Sequence, residues 1–220
     1  MSRLVIYGCG GFGQELVRSA LHALACDAGL TELCFASDTA SPPILGFQVI
    51  SPSDFRPDDQ VVLAIGSSGT RQRLAPLIPN AATVIAPTAV IGPNVTIGEG
   101  AVFCDFTMIT ASARIGRHFQ CNIYSYVAHD CVIGDFVTFG PRVCCNGNVL
   151  IGDGAHIGSG ANIRNGSSER PLHIGEGAFV GMGAVVTKDV AAGATVVGNP
   201  ARPLRTAEIV PLRATASRAP

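Results

Sequence analysis

The second part of the chain repeats with a period of six residues. Apolar side chains occupy every sixth position from Ile85 to Ile163, and the series resumes with Ile174, Val180 and Val186. The next position is often Gly, and the position four residues later is nearly always small or β-branched. In an extended chain, residues i and i+4 lie on one face, and small residues permit a sharp corner. The pattern therefore predicts short strands that turn repeatedly about an apolar core.

Three such strands make one triangular coil of about eighteen residues, and stacked coils bury a continuous column of apolar side chains. The repeat predicts a parallel β-helix of about five to six coils over residues 83–202. One interruption occurs, because Ile163 and Ile174 are one residue too close for two full repeats. Residues 165–171, which lie between them, are polar and turn-like, so they are predicted to form an exposed loop.

Residues 1–82 follow a different pattern, in which strands alternate with helices. The predicted order is strand, glycine-rich turn, helix, strand, strand and helix, over residues 4–7, 8–13, 14–26, 33–36, 61–65 and about 70–78. This alternation predicts a small α/β domain, a Rossmann-like half domain with a parallel sheet. Residues 203–220 show no period and are predicted to form a C-terminal tail.

Charge and hydropathy exclude several classes of function. The chain has 15 Lys and Arg against 16 Asp and Glu, and only 14% of its residues are charged where about 25% is usual, so it has no basic surface for nucleic acid. Its apolar stretches are far shorter than the roughly 18 residues that span a bilayer, and it lacks a secretory signal pattern. We therefore expect a cytoplasmic protein that binds neither nucleic acid nor membrane.

The first motif that suggests chemistry is the glycine-rich turn. Its spacing is G-x-G-x-x-G, it stands between a predicted strand and a predicted helix, and Asp38 follows the second strand. The motif can bind a phosphate, because backbone N–H groups at the start of the helix can face it. The alternative interpretation is a tight turn that needs glycine only for its conformation. Because residues 1–82 provide half of a dinucleotide fold, a single nucleotide carrying a sugar fits better than NAD. The expected substrate-binding residues here are Gly8, Gly10, Gly11, Phe12, Gly13 and Asp38.

The second motif is the pair His129–Asp130 inside the repeat. Steps of eighteen residues stack Gly147 and then Asn165 on His129, and Asn165 begins the inserted loop. An imidazole beside a carboxylate, a glycine that can be approached closely and a loop thus share one edge within about 10 Å. Cys131 is at an inward position and is expected to be part of the core. The remaining histidines, His22, His118, His156 and His173, are expected at the surface and form no three-histidine metal set.

The whole chain to about residue 205 resembles the nucleotide-sugar acetyltransferases of the sialic acid and bacillosamine type, the NeuD/PglD family. The residues that carry the resemblance are Gly8-Cys-Gly-Gly-Phe-Gly13, Ala64-Ile-Gly66, His129-Asp-Cys-Val-Ile-Gly134, Gly147-Asn148 and Val197-Gly-Asn-Pro-Ala201. The resemblance implies a Rossmann-like half domain followed by a left-handed parallel β-helix. It also implies acetyl-CoA as donor, a homotrimer, and sites at subunit boundaries.

The resemblance assigns a role to each matching residue. His129 is expected to be the general base, Asp130 its orienting neighbour, and the Gly147 N–H a donor to the thioester oxygen. Asn122 and Gly66 are expected at the acceptor. Some relatives carry a second histidine nine residues after the first, where this chain has Thr138, which leaves the acceptor contacts open.

The donor is expected to bind beside Gly147 and at the end of the β-helix. Its anionic phosphates need cations, so the expected contacts are Gly147, Asn165, Lys188, Arg202 and Arg205. The predicted function is transfer of acetyl from acetyl-CoA to an amino or hydroxyl group of a nucleotide-linked sugar for surface glycan biosynthesis. Two alternatives stay open: O-acetylation of a glycan or lipid-linked sugar with a vestigial nucleotide domain, and a non-catalytic β-helix that only trimerises.

Overall fold

A five-stranded parallel sheet forms the N-terminal part of the computed structural model, which describes residues 2–204. Its strands are β1 (Ser2–Tyr7), β2 (Leu30–Ala36), β3 (Val49–Ile50), β4 (Gln60–Leu63) and β5 (Asn80–Ala81). They lie in the order β3-β2-β1-β4-β5. The order reverses between β1 and β4, so the carboxyl ends of these two strands flank a crevice.

Helices cover both faces of this sheet. They are α1 (Gly11–Glu15), α2 (Val17–Cys26) and α3 (Ser68–Leu74), with short 3-10 turns at Pro52–Asp54 and Ala75–Leu77. Leu16 and Ala20 pack on one face against Leu4 and Ile6, and α3 lies on the other face.

Several predicted elements of this part differ in their bounds from the observed ones, and β1 and β2 both begin earlier than predicted. The first helix begins at Gly11 rather than at residue 14, because the Gln14 N–H already bonds to the Gly10 carbonyl. It is also interrupted at Leu16, which separates α1 from α2. The strand expected over 61–65 ends at Leu63, because the following residues enter a loop. Strands β3 and β5 were not predicted, since two residues are too few to show an alternation.

The second part of the chain is a three-sided parallel β-helix. Face 1 contains β6 (Val84–Ile85), β9 (Val102–Phe103), β12 (Gln120–Cys121), β15 (Thr138–Phe139), β18 (His156–Ile157), β21 (Phe179–Val180) and β23 (Thr195–Val197), with β24 (Arg202–Pro203) antiparallel at its edge. Face 2 contains β7 (Val90–Ile91), β10 (Met108–Ile109), β13 (Tyr126–Val127), β16 (Cys144–Cys145), β19 (Asn162–Ile163) and β22 (Val185–Val186). Face 3 contains β8 (Thr96–Ile97), β11 (Arg114–Ile115), β14 (Val132–Ile133), β17 (Val149–Ile151) and β20 (Leu172–Ile174).

The core of the β-helix follows the sixfold repeat. Residues at the repeated apolar position and four residues later are buried from Phe103 to Ile163, as Val127 and Cys131 illustrate, whereas most of those of the first coil are half-buried. Neighbouring coils pair in steps of eighteen, with Tyr126 opposite Cys144 and Cys144 opposite Asn162. The predicted parallel β-helix is therefore confirmed, while its left hand stays a prediction from the resemblance.

The corners require close approach of successive coils. A Cβ atom on Gly116 would lie 2.5 Å from the carbonyl carbon of Gly134 in the next coil. Such a distance is too short for any real side chain, so the glycines after the repeated apolar positions keep the coils at strand spacing.

The two parts share one apolar core at their junction. Val84 and Val102 on face 1 belong to the same buried cluster as Leu4 and Ile6 of the sheet. The boundary predicted between residues 82 and 83 therefore falls within a continuous packed region. Arg205 and the residues after it lie outside the described residues. The tail predicted from residue 203 does not start there, because Pro203 belongs to β24, which was not expected from the sequence.

Candidate active site

His129 and Asp130 occupy a corner between faces 2 and 3, directly after β13. The Nδ1 atom of His129 lies 2.8 Å from the Oδ2 atom of Asp130, and 59% and 55% of the two side chains are exposed. A carboxylate at this distance accepts the proton carried by Nδ1. The other ring nitrogen, Nε2, is then left with a free electron pair, so the corner presents a base to solvent.

Gly147 lies directly against the His129 ring. A Cβ atom on Gly147 would be 2.6 Å from Cε1 and 2.7 Å from Nε2 of the imidazole, so only glycine leaves room for this stacking. The Asn148 N–H donates to the His129 carbonyl at 3.0 Å, and the Gly166 N–H donates to the Gly147 carbonyl at 3.0 Å. The predicted stack of His129, Gly147 and the 165–171 loop is thus present in the structure.

One backbone N–H and one thiol near this corner differ in whether a ligand could bind to them. The Gly147 N–H has no hydrogen-bond acceptor within residues 2–204. Cys131 is fully buried, and its thiol donates to the Asn146 carbonyl at 3.2 Å. Cys131 is therefore a core residue, as expected, while the Gly147 N–H is free to bind a ligand oxygen.

A cationic cleft of about 800 Å³ adjoins the inserted loop. Arg164, Asn165, Arg170 and Lys188 line it. Asn165 and Lys188 were predicted from the sequence, but the two arginines were missed. Arg164 replaces the glycine that often follows the repeated apolar residue, which is a signal that the sequence does contain. The cleft begins one coil beyond Gly147 and two coils beyond His129.

Arg202 lies apart from this cleft. It is exposed on β24, where its guanidinium donates to the Ala201 carbonyl at 2.9 Å. Arg202 does not line the cleft with Lys188, because the chain crosses to another corner before β24 begins.

The glycine-rich turn separates into packing positions and open positions. A Cβ atom on Gly8, which has φ +129°, would lie 2.6 Å from the Ala64 carbonyl oxygen, and one on Gly13 would overlap the Gly8 carbonyl. Gly10 and Gly11 have nothing within 4 Å of that position, and the same is true of Gly66. Gly8 and Gly13 thus allow the turn to form, while Gly10, Gly11 and Gly66 leave space for a ligand. Phe12 between them is half-buried.

Asp38 is held at the end of β2 by a residue that the sequence analysis missed. The Tyr7 hydroxyl donates to Oδ1 of Asp38 at 2.7 Å. Burial raises the pKa of Tyr7 to about 12, and the bond to Asp38 adds to this rise. Asp38, Ser37 and Ser51 line a cavity of about 330 Å³. One carboxylate oxygen is therefore oriented by Tyr7, and the side chain borders a cavity of nucleoside size.

Asn122, which the resemblance places at the acceptor, lies away from His129 within this chain, and so does Thr138 at the position where some relatives have histidine. Asn122 is on the corner between faces 1 and 2, where its Oδ1 accepts the Ile123 N–H at 2.7 Å. Thr138 is buried on face 1, and its hydroxyl lies 3.2 Å from the Gly66 carbonyl. Thr138 therefore contacts the N-terminal part instead of the His129 corner.

One of the remaining histidines contradicts its predicted surface position. His118 is 3% exposed, and its ring stacks on Phe136 with centroids 5.0 Å apart. Burial lowers its pKa. A Cβ atom on Gly100 would collide with this ring, so glycine in the preceding coil creates the space for it. Within residues 2–204, no cluster of His, Cys, Asp and Glu could hold a metal ion.

Comparison with known proteins gives a full-length relative. The GDP-perosamine N-acetyltransferase of Escherichia coli O157:H7 is 43% identical over 210 residues, which cover 91% of this chain and 95% of that protein. The chain belongs to the hexapeptide-repeat sugar acetyltransferases. A scan against models of known protein families gives no match.

Solved structures of other sugar acetyltransferases share the fold of this one. WeeI from Acinetobacter baumannii AYE has a TM-score of 0.87 and 43% identity, and the match covers 93% of this chain and 100% of that one. PerB from Caulobacter crescentus, solved in complex with CoA and GDP-perosamine, has a TM-score of 0.78 and 28% identity over 92% of this chain and 97% of that one. No helix of this acetyltransferase within residues 2–204 has the length and apolar character needed to cross a membrane.

Proposed function

We propose that this sugar acetyltransferase moves the acetyl group of acetyl-CoA to an amino group of a nucleotide-linked sugar, with GDP-perosamine as the first acceptor to test. The observation that carries the proposal is the His129 ring, held by Asp130 through Nδ1 and stacked on Gly147 beside a cationic cleft. The relative that acts on GDP-perosamine matches nearly the full length of this chain.

The reaction requires a proton to leave the acceptor as it attacks. The acceptor nitrogen forms a bond to the thioester carbonyl carbon, and its proton passes to Nε2 of His129. The C–S bond then breaks, and the CoA thiolate takes that proton back from the imidazolium. General-base assistance of this kind contributes about 10² to 10⁴ in rate. Asp130 fixes the tautomer and stabilises the imidazolium without itself taking the proton.

Gly147 contributes through its backbone. Negative charge develops on the carbonyl oxygen during the attack, and a fixed N–H donor stabilises it without reorganisation. The Gly147 N–H has no acceptor of its own within the described residues, and it adjoins the imidazole. We assign the oxyanion contact to this group.

The donor occupies the cationic cleft. Arg164, Arg170 and Lys188 supply three positive charges for the phosphates of CoA against the single carboxylate of Asp189, and Asn165, which also lines the cleft, is one coil away from Gly147. Adjacent coils are about 4.8 Å apart, so a pantetheine arm that starts in the cleft passes Gly147 on its way to His129. The assignment of Arg202 and Arg205 to the donor stays a prediction.

The nucleotide of the acceptor binds to the N-terminal part, which we propose is a Rossmann-like half domain over residues 1–82. The open glycines Gly10 and Gly11 leave room for phosphate oxygens, and Asp38 accepts hydrogen bonds from the nucleoside. Both lie at the carboxyl ends of parallel strands next to the reversal of strand order, the usual ligand position in such sheets.

We also propose that the enzyme works as a homotrimer in the cytoplasm, with a left-handed β-helix over residues 83–202. The corner between faces 1 and 2 carries an exposed aromatic pair, because Phe106 and Tyr124 stack with centroids 5.0 Å apart. Ile123 and Met108 beside them are exposed as well. Association through this corner would place Asn122 of one subunit against a neighbouring β-helix and bring it into an acceptor pocket.

The test is an acetyl-CoA consumption assay with nucleotide-linked amino sugars. The panel contains GDP-perosamine, a UDP-linked 4-amino sugar and a UDP-linked sugar with hydroxyl groups only, and the His129→Asn variant is the control. We expect turnover of an amino sugar by the wild type alone. Turnover of the hydroxyl sugar would indicate O-acetylation, and no turnover with any acceptor would favour the non-catalytic β-helix.

A further inference from the structure

Arg71 is a buried cation that the catalytic scheme does not use. It lies in α3, it is fully buried, and no carboxylate contacts it in the part of the chain that the structure describes. Burial lowers its pKa to about 10, which still leaves the side chain charged at neutral pH. A buried charge without an ionic partner is expensive, so its hydrogen bonds must compensate for lost hydration.

The two terminal nitrogens of Arg71 join the loop after β4 to the β-helix. The bonds of Nη1 go to Ile65 O (2.8 Å), Gly66 O (3.0 Å) and Gln120 Oε1 (3.1 Å), and those of Nη2 go to Phe136 O (2.7 Å), Val137 O (3.3 Å) and Thr138 Oγ1 (2.9 Å). The first nitrogen thus bonds both the loop and Gln120 of face 1, and the second bonds the next coil at residues 136–138. Thr138 completes the contact, because its hydroxyl also lies 3.2 Å from Gly66 O.

The loop that Arg71 holds borders the candidate nucleotide site. Ala64 packs closely on Gly8, since a Cβ atom on Gly8 would be 2.6 Å from the Ala64 carbonyl oxygen. Gly66 follows at the carboxyl end of β4, beside the point where the strand order reverses. Any displacement of residues 64–66 relative to the β-helix would therefore move the wall of this site.

We infer that Arg71 is a positioning residue, which fixes the nucleotide-sugar loop against the β-helix and so sets where the acceptor lies relative to the transferase corners. The inference rests on the proposed function. The planar guanidinium places two terminal nitrogens among six acceptors on the loop and the coil, whereas the ammonium of lysine offers three N–H groups at a single nitrogen and loses part of this set. The proposal also gives Thr138 a role in this chain, as part of the tether at the position where some relatives have histidine.

The test compares Arg71→Lys with Arg73→Lys. Arg73 is the matched control, because it is on the same helix but bonds only to Gly69 and Thr70 of that helix. With GDP-perosamine and acetyl-CoA, we expect Arg71→Lys to raise KM for the nucleotide sugar by about fivefold or more and to leave KM for acetyl-CoA within about twofold. The Arg73→Lys variant should match the wild type in both.

A second measurement does not depend on turnover. Hydrogen exchange of a peptide covering residues 64–71 should be faster in Arg71→Lys, because a loosened loop would expose the Ala64 amide, which bonds to Tyr7 O, and the Arg71 amide, which bonds to Ser67 O. A peptide covering β16 should exchange at the wild-type rate. If the wild type acetylates no acceptor, the proposed function fails, and the exchange comparison still decides whether Arg71 holds the loop.

Two outcomes would overturn the inference. Unchanged KM for the nucleotide sugar with unchanged exchange would show that the loop does not need Arg71. A parallel rise of both KM values together with faster exchange in β16 would show a general loss of structure instead of positioning. If Arg71→Lys does not fold, Thr138→Val removes one acceptor and the bond to Gly66, and it should raise only the KM for the nucleotide sugar.

Discussion

We propose His129 as the base because of its immediate neighbours. The sequence predicted Asp130 beside it and Gly147 above it, since adjacency and an eighteen-residue step are both visible in one dimension. The sequence did not indicate that Nδ1 is the nitrogen bound by Asp130, because that depends on the rotamers of two side chains. Tyr7 was missed for a similar reason, as its partner Asp38 is 31 positions away in the chain.

The first prediction concerns this base. His129→Asn should lower kcat by at least about 10², because the acceptor proton then has no base, while affinity for acetyl-CoA should be unchanged. Asp130→Asn should lower kcat less than His129→Asn does, since it disturbs the tautomer of His129 and leaves the Nε2 atom in place. The measurements are steady-state kinetics and calorimetric titration with acetyl-CoA. Wild-type kcat in both folded variants would remove His129 from the mechanism.

At the scale of elements, the repeat predicted the coils well because each strand depends on a local pattern. The inserted loop was predicted from its phase and polarity, but its contribution to a cationic cleft was not. Arg164, which takes the place of a repeat glycine, could have been found from the sequence, but Arg170 enters that cleft through the fold of the loop, in which the Ser167 N–H bonds to the Arg170 carbonyl. Loop conformation of this kind leaves no periodic trace in a sequence.

The second prediction addresses the donor cleft. Arg164→Ala and Arg170→Ala should each raise KM for acetyl-CoA by about three- to tenfold, as expected for loss of a charged contact that solvent partly screens. Their kcat values should change little. Arg73→Ala is the control, and no change is expected because Arg73 bonds only to Gly69 and Thr70 of its own helix. Unchanged KM in both cleft variants would place the phosphates elsewhere.

The third prediction tests why corners need glycine. Gly116→Ala should destabilise the protein by about 1–3 kcal/mol, since the new Cβ atom would meet the backbone of the next coil. Gly69→Ala is the control, because Gly69 is in α3 with nothing within 4 Å and alanine is the better helix former. Thermal unfolding of the two variants would measure the difference. Equal midpoints would show that the coils can separate at no cost.

At the scale of the whole molecule, the sequence predicted the two parts but not how they are joined. The shared apolar core brings Val84 and Val102 together with the sheet. Arg71 binds β-helix residues that are separated from it by 49 to 67 positions in the sequence. Contacts over such separations follow from the packed fold, and one sequence carries no local signal for them. A lone arginine in a polar helix is also usually a solvated residue.

The fourth prediction concerns assembly. Light scattering at micromolar concentration should give three times the 22.6 kDa chain mass. The double variant Phe106→Glu and Tyr124→Glu should dissociate and lose activity, because charges would replace the exposed aromatic pair. Leu77→Glu is the control, since Leu77 is 70% exposed on the N-terminal part and should not affect the mass. A fully active wild-type monomer would contradict the trimer.

The eighteen-residue register of the coils constrains how genes for such chains can change in length. Losing or gaining a single residue inside a strand would rotate every later apolar side chain out of the core, since strand faces alternate. Length changes that survive selection should therefore add or remove whole coils, or fall at a corner. The segment at 165–171 occupies such a corner, and the strands on either side of it remain in register, because Asn162 pairs with Val185 and Leu150 pairs with His173 across it.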